Sequence, residues 1–196
     1  MKTIRIMSYN IGWLQGEGSE GVNFKKKSLL HFKSGISSVA RTIIDNKIDL
    51  ACLQEIDFDA DKSHNIDQFQ ELKNKTNYFG EKLISWNIPY LPFPYFNHWK
   101  KVVSGGAILS RKKIKAISQH LFDAPTNMFF LKRLFYLKRY VQIIKIKFKG
   151  KNEYVFNLHL EAFDFNAKQE QLIFLQTLIK EFQPIAVCGD FNTLPQ

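Results

Sequence analysis

Apolar positions along the chain predict many short strands. A two-residue period, or a run of about four to eight apolar residues between polar segments, is typical of a strand. Such patterns cover residues 3–9, 48–53, 78–86, 106–110, 114–120, 141–149, 154–160 and 185–188.

Apolar residues three or four positions apart predict three amphipathic helices. They cover residues 28–46, residues 65–76 and a segment that begins at Asn166. Gln169 follows Asn166 by three residues, a pattern similar to a capping box, in which two side chains bond otherwise unpaired backbone N–H groups. Residues 12–27, which include four glycines, and residues 87–99 are predicted to be loops.

The order of these elements favours packed sheets. A turn at residues 150–152 joins two predicted strands as a hairpin. Hairpins mixed with helices favour two sheets covered by helices over a doubly wound parallel sheet. The 196 residues contain no repeat or linker, and this length suits one domain with a sizeable core. We therefore expect a single α/β domain over residues 1–196.

Charge is concentrated in the middle of the chain. The net charge is +10, and residues 100–151 contain fourteen Lys or Arg and one acidic residue, Asp123. This balance predicts a polyanionic partner: nucleic acid, an anionic membrane surface or a phosphorylated small molecule. The alternative is an ordinary solvated surface.

Two segments interleave aromatic and basic residues, residues 86–99 and 129–140. Such sequences suit a membrane interface with anionic lipid, or stacking on unpaired bases. Alternatively, most of these rings fill the core. The pattern leaves all three interpretations open.

The two cysteines, Cys52 and Cys188, lie in short apolar runs. Buried thiols behave as small hydrophobic groups, and the chain has no metal-binding Cys/His spacing. The N-terminal residues alternate polar and apolar positions without a continuous apolar stretch, unlike a signal peptide or a membrane span. We expect a cytoplasmic monomer.

Polar residues end four of the apolar runs, and their types suit metal or phosphate chemistry. Carboxylates are ligands for Mg²⁺ and can orient water, amides orient carboxylates or phosphate oxygens, and histidine donates a hydrogen bond or a proton near neutral pH. Each residue alone has a simpler explanation as a turn former, a surface acid or a structural histidine. The residues are Asn10, Glu55, His159, Asp190 and Asn192.

Taken together, the segments SYNIG, LQEID, SGGAILSR, NLHLEAFD and GDFNTLP resemble the endonuclease/exonuclease/phosphatase (DNase I-like) superfamily. The resemblance runs from about Thr3 to Pro195. It implies a four-layer α-β-β-α sandwich of two mixed sheets with the active site at one edge. It also implies hydrolysis of a phosphate ester that depends on Mg²⁺, with Mn²⁺ as an alternative.

The resemblance also implies roles for individual residues. Glu55 would be the principal metal ligand, and Asn10 would belong to the metal and phosphate shell. Asp190 would contribute to the metal site and orient or deprotonate the attacking water. His159 would contact the phosphate, as would Asn192. Arginines near Arg139 contact substrate in similar proteins, although Lys132, Arg133 and Lys138 compete for that role.

Members of this superfamily continue beyond GDFN with another metal-site Asp and a terminal Asp-His pair. Neither is present here, so we expect the chain to be C-terminally incomplete, to lack its last strands and to have little activity by itself. The substrate expected first is a phosphodiester in nucleic acid. A lipid or inositol phosphate, as in sphingomyelinases, is the alternative. A non-catalytic module that binds polyanions is the hypothesis from another class.

Overall fold

The computed structural model of the chain describes residues 3–16, 27–92 and 98–193. The strands of this part are β1 (Ile6–Asn10), β2 (Leu50–Ala60), β3 (Phe79–Ile88), β4 (Val102–Ser110), β5 (Ile114–Phe122), β6 (Arg139–Phe148), β7 (Lys151–His159) and β8 (Ala186–Asp190). The helices are α1 (Leu29–Asp45), α2 (Gln68–Thr76), α3 (Phe130–Leu134) and α4 (Phe165–Phe182), with 3₁₀ turns at Gly12–Leu14 and Asp61–Ser63.

The described strands form two four-stranded sheets. Their orders are β1-β2-β4-β3 and β5-β6-β7-β8. The β1–β2 and β7–β8 pairs are parallel, and the remaining pairs are antiparallel. Both sheets are therefore mixed, as the superfamily resemblance implied, and the doubly wound arrangement is excluded.

Apolar side chains fill three spaces between four layers. Leu50, Cys52 and Ile108 of the first sheet pack against Ile144 and Val155 of the second. Helices α1 and α2 cover the outer face of the first sheet, and Leu175 and Leu178 of α4 cover the outer face of the second. Burial of both faces of each sheet explains why several strands read as nearly continuous apolar runs. The α-β-β-α sandwich is confirmed.

Side-chain oxygens cap the three longer helices. Ser28 accepts a hydrogen bond from the backbone N–H of His31 at 3.2 Å, and Asp67 caps α2 in the same way. The cap of α4 is Asp164, whose Oδ1 accepts from the N–H of Ala167 at 2.8 Å. The predicted start at Asn166 is therefore wrong. Asp164 precedes Asn166 by two residues and accepts a hydrogen bond from an otherwise unpaired N–H group of the first turn.

Two adjacent glycines of β4 are required by close contacts, one with the neighbouring strand and one with the facing sheet. A Cβ on Gly105 would lie 2.0 Å from the carbonyl oxygen of Leu83 in β3. A Cβ on Gly106 would lie 2.2 Å from the Tyr140 hydroxyl, which reaches across from the second sheet. The SGGAILS segment therefore allows the sheets to approach closely beside the catalytic candidates.

The two aromatic segments have different surroundings. Trp86, Ile88 and Leu91 of the first segment are buried, and they pack with Trp99 in one cluster. Residues 93–97 lie outside the described residues. In the second segment, Phe130–Leu134 form α3, which has no buried residue. Phe135 and Leu137 pack against the same cluster as Trp86, and Tyr140 is buried in β6. The core interpretation thus holds for the described part of the first segment and for the end of the second segment, and it fails for α3.

Other expectations are tested in part. Cys52 is buried, as predicted, whereas Cys188 is half-buried, and both are free thiols. The predicted loop at residues 12–27 begins with a 3₁₀ turn, and residues 17–26, with Lys25 and Lys26, lie outside the described residues. Among the described residues, no helix is long and apolar enough to span a membrane.

Candidate active site

A β-bulge in β2 places Glu55 at the end of the sandwich. The pairing of β2 with β4 shifts register between Leu53 and Ile56, and Glu55 adopts a left-handed backbone conformation with φ of 52°. The strand continues to Ala60, so the prediction that it ends at Glu55 is wrong. A bulge re-aims a side chain without ending a strand, which explains how a residue within a strand reaches the site.

The side-chain amide of Asn10 joins carboxylates from both sheets. Its Nδ2 donates to Glu55 Oε1 at 3.2 Å and to Asp190 Oδ2 at 2.8 Å. Its Oδ1 accepts from the backbone N–H of Gly12 at 3.0 Å. Asn10 therefore presents N–H groups to the carboxylates and is placed to orient them. The predicted convergence of Glu55 and Asp190 is present.

The pKa values of the two carboxyl groups are shifted in opposite directions. Burial raises the pKa of Glu55, opposed by the Asn10 hydrogen bond and the charges of Lys62 and Arg139. Burial also acts to raise the pKa of Asp190, but hydrogen bonds from Asn10 and the backbone N–H of Asn192 outweigh it and lower that pKa overall. Asp190 therefore stays ionised at neutral pH, as a water-orienting carboxylate requires.

His159 lies at the end of β7, with Nε2 3.8 Å from Glu55 Oε1 and 3.8 Å from Asp190 Oδ2. Burial and the Arg139 charge lower its pKa to about 4, so the ring is neutral at pH 7 and these contacts are not ion pairs. Nε2 also lies 2.8 Å from Arg139 Nη1. Since guanidinium only donates, Nε2 accepts and Nδ1 carries the proton. In this arrangement His159 accepts a hydrogen bond from Arg139 and helps to fix the position of its guanidinium group.

Arg139 reaches the site from the first residue of β6. It is buried between His159 and Glu161, whose Oε2 lies 3.7 Å from Arg139 Nε. Glu161 Oε2 also accepts a hydrogen bond from the Tyr136 hydroxyl. This carboxylate keeps the guanidinium oriented at the carboxylate pair, where it can meet a phosphate oxygen.

The other candidate cations lie farther out. Lys132 and Arg133 are on the exposed helix α3, and Lys138 pairs with Asp123 at 2.7 Å. Exposed Lys147 lies eight residues along β6 from Arg139, a distance of roughly 26 Å in a strand. The basic residues in the middle of the chain therefore do not form one patch around the site.

Asn192 adopts a left-handed backbone conformation after β8, with φ of 49°. Its Nδ2 donates to the Leu160 carbonyl at 2.8 Å, and its backbone N–H donates to Asp190 Oδ1 at 2.8 Å. The residue thus fixes the turn that carries Asp190 and ties it to the end of β7. Residues 194–196, including the end of GDFNTLP, lie outside the described residues.

A buried polar bridge joins the sheets behind the bulge. Asn157 of β7 accepts from Gln54 Nε2 at 2.6 Å. Its own Nδ2 lies within hydrogen-bond distance of the Leu53 carbonyl (3.1 Å), the Ala107 carbonyl (3.2 Å) and Gln142 Oε1 (3.3 Å). Gln54 precedes Glu55, so this bridge sets the position of the bulge relative to His159 and Asp190.

A buried ion pair supports the other side of Glu55. Lys62 Nζ lies 3.2 Å from Asp57 Oδ1 and 3.8 Å from the centre of the Trp13 ring. Burial lowers the pKa of Lys62 to about 8, although the Asp57 carboxylate opposes that shift. The cation lies close enough to Glu55 to oppose the rise in pKa that burial of this carboxyl group causes.

Sequence reasoning did not identify the residues that support the catalytic candidates, among them Glu161, Asn157, Tyr136 and Lys62. Glu161 and Asn157 share the β7 alternation with His159, since each is two positions from it, and that periodicity could have indicated them. Tyr136 lies in the second aromatic and basic segment and Lys62 follows β2, but no periodicity marks either residue. Their positions at the site follow only from tertiary packing.

The donor set suits Mg²⁺ more than a metal that prefers imidazole or thiolate ligands. Glu55 and Asp190 offer hard oxygens, and Mg²⁺ typically binds one or two carboxylates while it retains waters and takes up substrate phosphate. Among the described residues, no group of three or more His, Cys, Asp or Glu side chains is arranged to hold a metal ion. A site here would therefore need water and substrate oxygens to complete the coordination.

Solved structures of other proteins share this fold. The human Nocturnin catalytic domain with bound sulfate anion has a TM-score of 0.59 at 21% identity, over 98% of this chain and 65% of that chain. D. rerio TDP2 complexed with single strand DNA product has a TM-score of 0.55 at 17% identity, over 98% of this chain and 62% of that one. This chain therefore spans less than two thirds of either.

An endonuclease/exonuclease/phosphatase family protein from Leptotrichia buccalis C-1013-b has a TM-score of 0.61 at 17% identity, over 97% of this chain and 67% of that chain. No curated protein matches the sequence significantly. The sequence profile of the Endonuclease/Exonuclease/phosphatase family matches residues 7–196. With its two-sheet sandwich and its cluster of Asn10, Glu55, His159 and Asp190, this chain belongs to the endonuclease/exonuclease/phosphatase family.

Proposed function

We propose that this protein hydrolyses phosphate esters by metal-assisted attack of water, with a phosphodiester in nucleic acid as the substrate. The observation that carries the proposal is the shared contact of Asn10 Nδ2 with Glu55 and Asp190. Two carboxylates from different sheets lie at one amide, beside a neutral histidine and an oriented arginine. This arrangement concentrates negative charge where a divalent cation would neutralise it.

Glu55 and Asp190 would hold the metal, and Asn10 would orient both carboxylates. When bound, Mg²⁺ would polarise the phosphoryl oxygen and stabilise charge that develops on it. The pKa of Glu55 is raised, and a cation bound beside its carboxyl group would favour the ionised form.

Asp190 is the candidate for orienting the attacking water or accepting its proton. Its carboxylate is ionised at neutral pH, and the hydrogen bonds from Asn10 and Asn192 hold it in one orientation. Removal of a general base typically lowers the rate by about 10²–10⁴-fold. Arg139, supported by Glu161 and His159, would bind a non-bridging phosphate oxygen.

Nucleic acid is the first candidate substrate, supported by the net charge of +10 and by the similar TDP2 fold with a single-stranded DNA product. A lipid headgroup phosphoester is the second candidate. The exposed apolar and basic residues of α3 favour it, since they lie beside the site on the chain that leads to Arg139.

Metal binding can be tested separately from turnover. We expect Mg²⁺ to raise the melting temperature of the wild type and of Glu71→Gln, an exposed carboxylate change on α2, but not of Glu55→Gln. The reason is that ligands stabilise only the state that binds them. Equal Mg²⁺-dependent shifts in all three proteins would refute the metal site.

Turnover is tested on the full natural chain with plasmid DNA, a single-stranded oligonucleotide, sphingomyelin and inositol phosphates, with and without EDTA. Asp190→Asn and His159→Ala should lose hydrolysis and keep the fold. Retained activity in both variants would refute the mechanism. Binding of polyanions without hydrolysis of any substrate would favour the non-catalytic module.

A further inference from the structure

An exposed apolar and basic patch lies next to the catalytic candidates. We define the α3 surface as Phe163 and six consecutive exposed residues. The six are Phe129, Phe130, Leu131, Lys132, Arg133 and Leu134. Phe130 is 63% exposed, Leu134 is 67% exposed and Phe163 is 93% exposed. Apolar side chains clustered at this exposure are typical of an interaction site rather than of ordinary surface variation.

The patch is continuous with the site. Phe129, Lys132 and Phe163 line one groove of about 310 Å³ with Glu161, the carboxylate that orients Arg139. At the end of α3, Tyr136 donates a hydrogen bond to the same carboxylate. A partner on the α3 surface would therefore lie within a few residues of the phosphate-binding candidates.

The chemistry of the α3 surface indicates its partner. Leu131 and Leu134 have no π face to stack on a base, but they partition into lipid together with the phenylalanines. The Phe129 and Phe130 rings are edge-to-face, with centroids 4.9 Å apart, and do not form two parallel platforms for bases. Lys132 and Arg133 can extend toward lipid phosphates while the apolar side chains insert.

Local charge supports an anionic partner. Residues 124–152 contain no acidic residue. Two carboxylates line the groove beside the α3 surface, and both have partners: Glu161 lies against Arg139, and Asp164 accepts from Asn127 and from the backbone N–H of Ala167. Each Lys or Arg near an anionic leaflet adds attraction that falls off within a Debye length.

We propose that the α3 surface attaches this protein to anionic lipid membranes and presents the candidate active site to the bilayer surface. Phe129, Phe130, Leu131 and Leu134 insert among the headgroups, while Lys132 and Arg133 bind lipid phosphates. The attachment concerns where the protein acts and is measured without turnover, so it stands or fails separately from the proposed hydrolysis.

The test is co-sedimentation with phosphatidylserine/phosphatidylcholine vesicles and with phosphatidylcholine vesicles, in EDTA. Wild type should bind the anionic vesicles, and Phe130→Ala/Leu134→Ala should bind at least roughly 10-fold more weakly. Lys132→Gln/Arg133→Gln should lower the affinity for anionic vesicles by roughly 10- to 30-fold and leave binding to phosphatidylcholine vesicles unchanged. This loss of affinity should be smaller at high salt. The matched controls on α1, Leu30→Ala and Lys33→Gln/Arg41→Gln, should bind like wild type.

Equal binding by wild type and both α3 variants would overturn the proposal, as would failure of wild type to bind anionic vesicles. The same proteins are tested on a single-stranded oligonucleotide. Loss of oligonucleotide binding in the α3 variants, without vesicle binding by wild type, would assign the surface to unpaired bases instead. Circular dichroism melting checks that each variant is folded.

Discussion

The buried bridge at Asn157 predicts a large loss of stability from one small substitution. In Asn157→Ala, Gln54 Nε2 loses its 2.6 Å acceptor, and Gln142 Oε1 and the carbonyls of Leu53 and Ala107 lose a donor. All of these groups lie in the closed space between the sheets, where water cannot easily replace Asn157.

The magnitude follows from three hydrogen bonds, because Asn157 accepts one and its Nδ2 has two N–H groups to share among its three neighbouring acceptors. At a net value of about 1 kcal/mol each, their loss lowers the free energy of unfolding by about 3 kcal/mol. A domain of this size typically has a total of about 5–15 kcal/mol. At about 2–4 °C per kcal/mol, the melting temperature should fall by about 6–12 °C.

The assay is thermal and urea unfolding of Asn157→Ala beside Asn152→Ala, the same change at an exposed position of β7. We expect the control to remain within about 0.5 kcal/mol of wild type. A double-mutant cycle with Gln54→Ala should show coupling of at least about 0.5 kcal/mol. Equal melting temperatures for Asn157→Ala and Asn152→Ala would show that the bridge does not hold the sheets together.

Three further predictions concern other buried groups. Lys62→Ala should lower the free energy of unfolding by about 3–5 kcal/mol, because it leaves Asp57 buried without its cation, whereas Lys62→Met/Asp57→Leu should recover most of it in urea unfolding. His159 has a folded-state pKa of about 4, below its unfolded value of about 6.5, so its contribution to stability is complete above pH 6.5 and is lost as pH falls toward 4. This loss is about 3 kcal/mol for wild type in EDTA and should be absent from His159→Gln. Gly106→Ala should cost about 1–3 kcal/mol by collision with the Tyr140 hydroxyl, and Tyr140→Phe in the same chain should relieve part of that cost; an additive double variant would contradict the contact.

Local sequence pattern determined most of the elements of this protein. Apolar periodicity located at least part of each described strand and the three longer helices, because each buries one face or both against a neighbouring layer. Residue type together with position after an apolar run selected Asn10, Glu55, His159 and Asp190, since hard oxygen ligands and a histidine held by strands suit phosphate chemistry. The resemblance of the five segments to one superfamily then supplied the arrangement of the sheets.

Only the tertiary structure decided how these residues act on one another. The bulge at Glu55 depends on pairing with β4, and the neutral ring of His159 depends on burial beside Arg139, so neither follows from a local pattern. Tertiary packing also decided which aromatic side chains of the two similar segments are buried: Trp86 and Tyr140 are buried, whereas Phe130 is exposed. Periodicity reports which faces of an element are apolar, whereas contacts between distant segments determine orientation, protonation and what each apolar face covers.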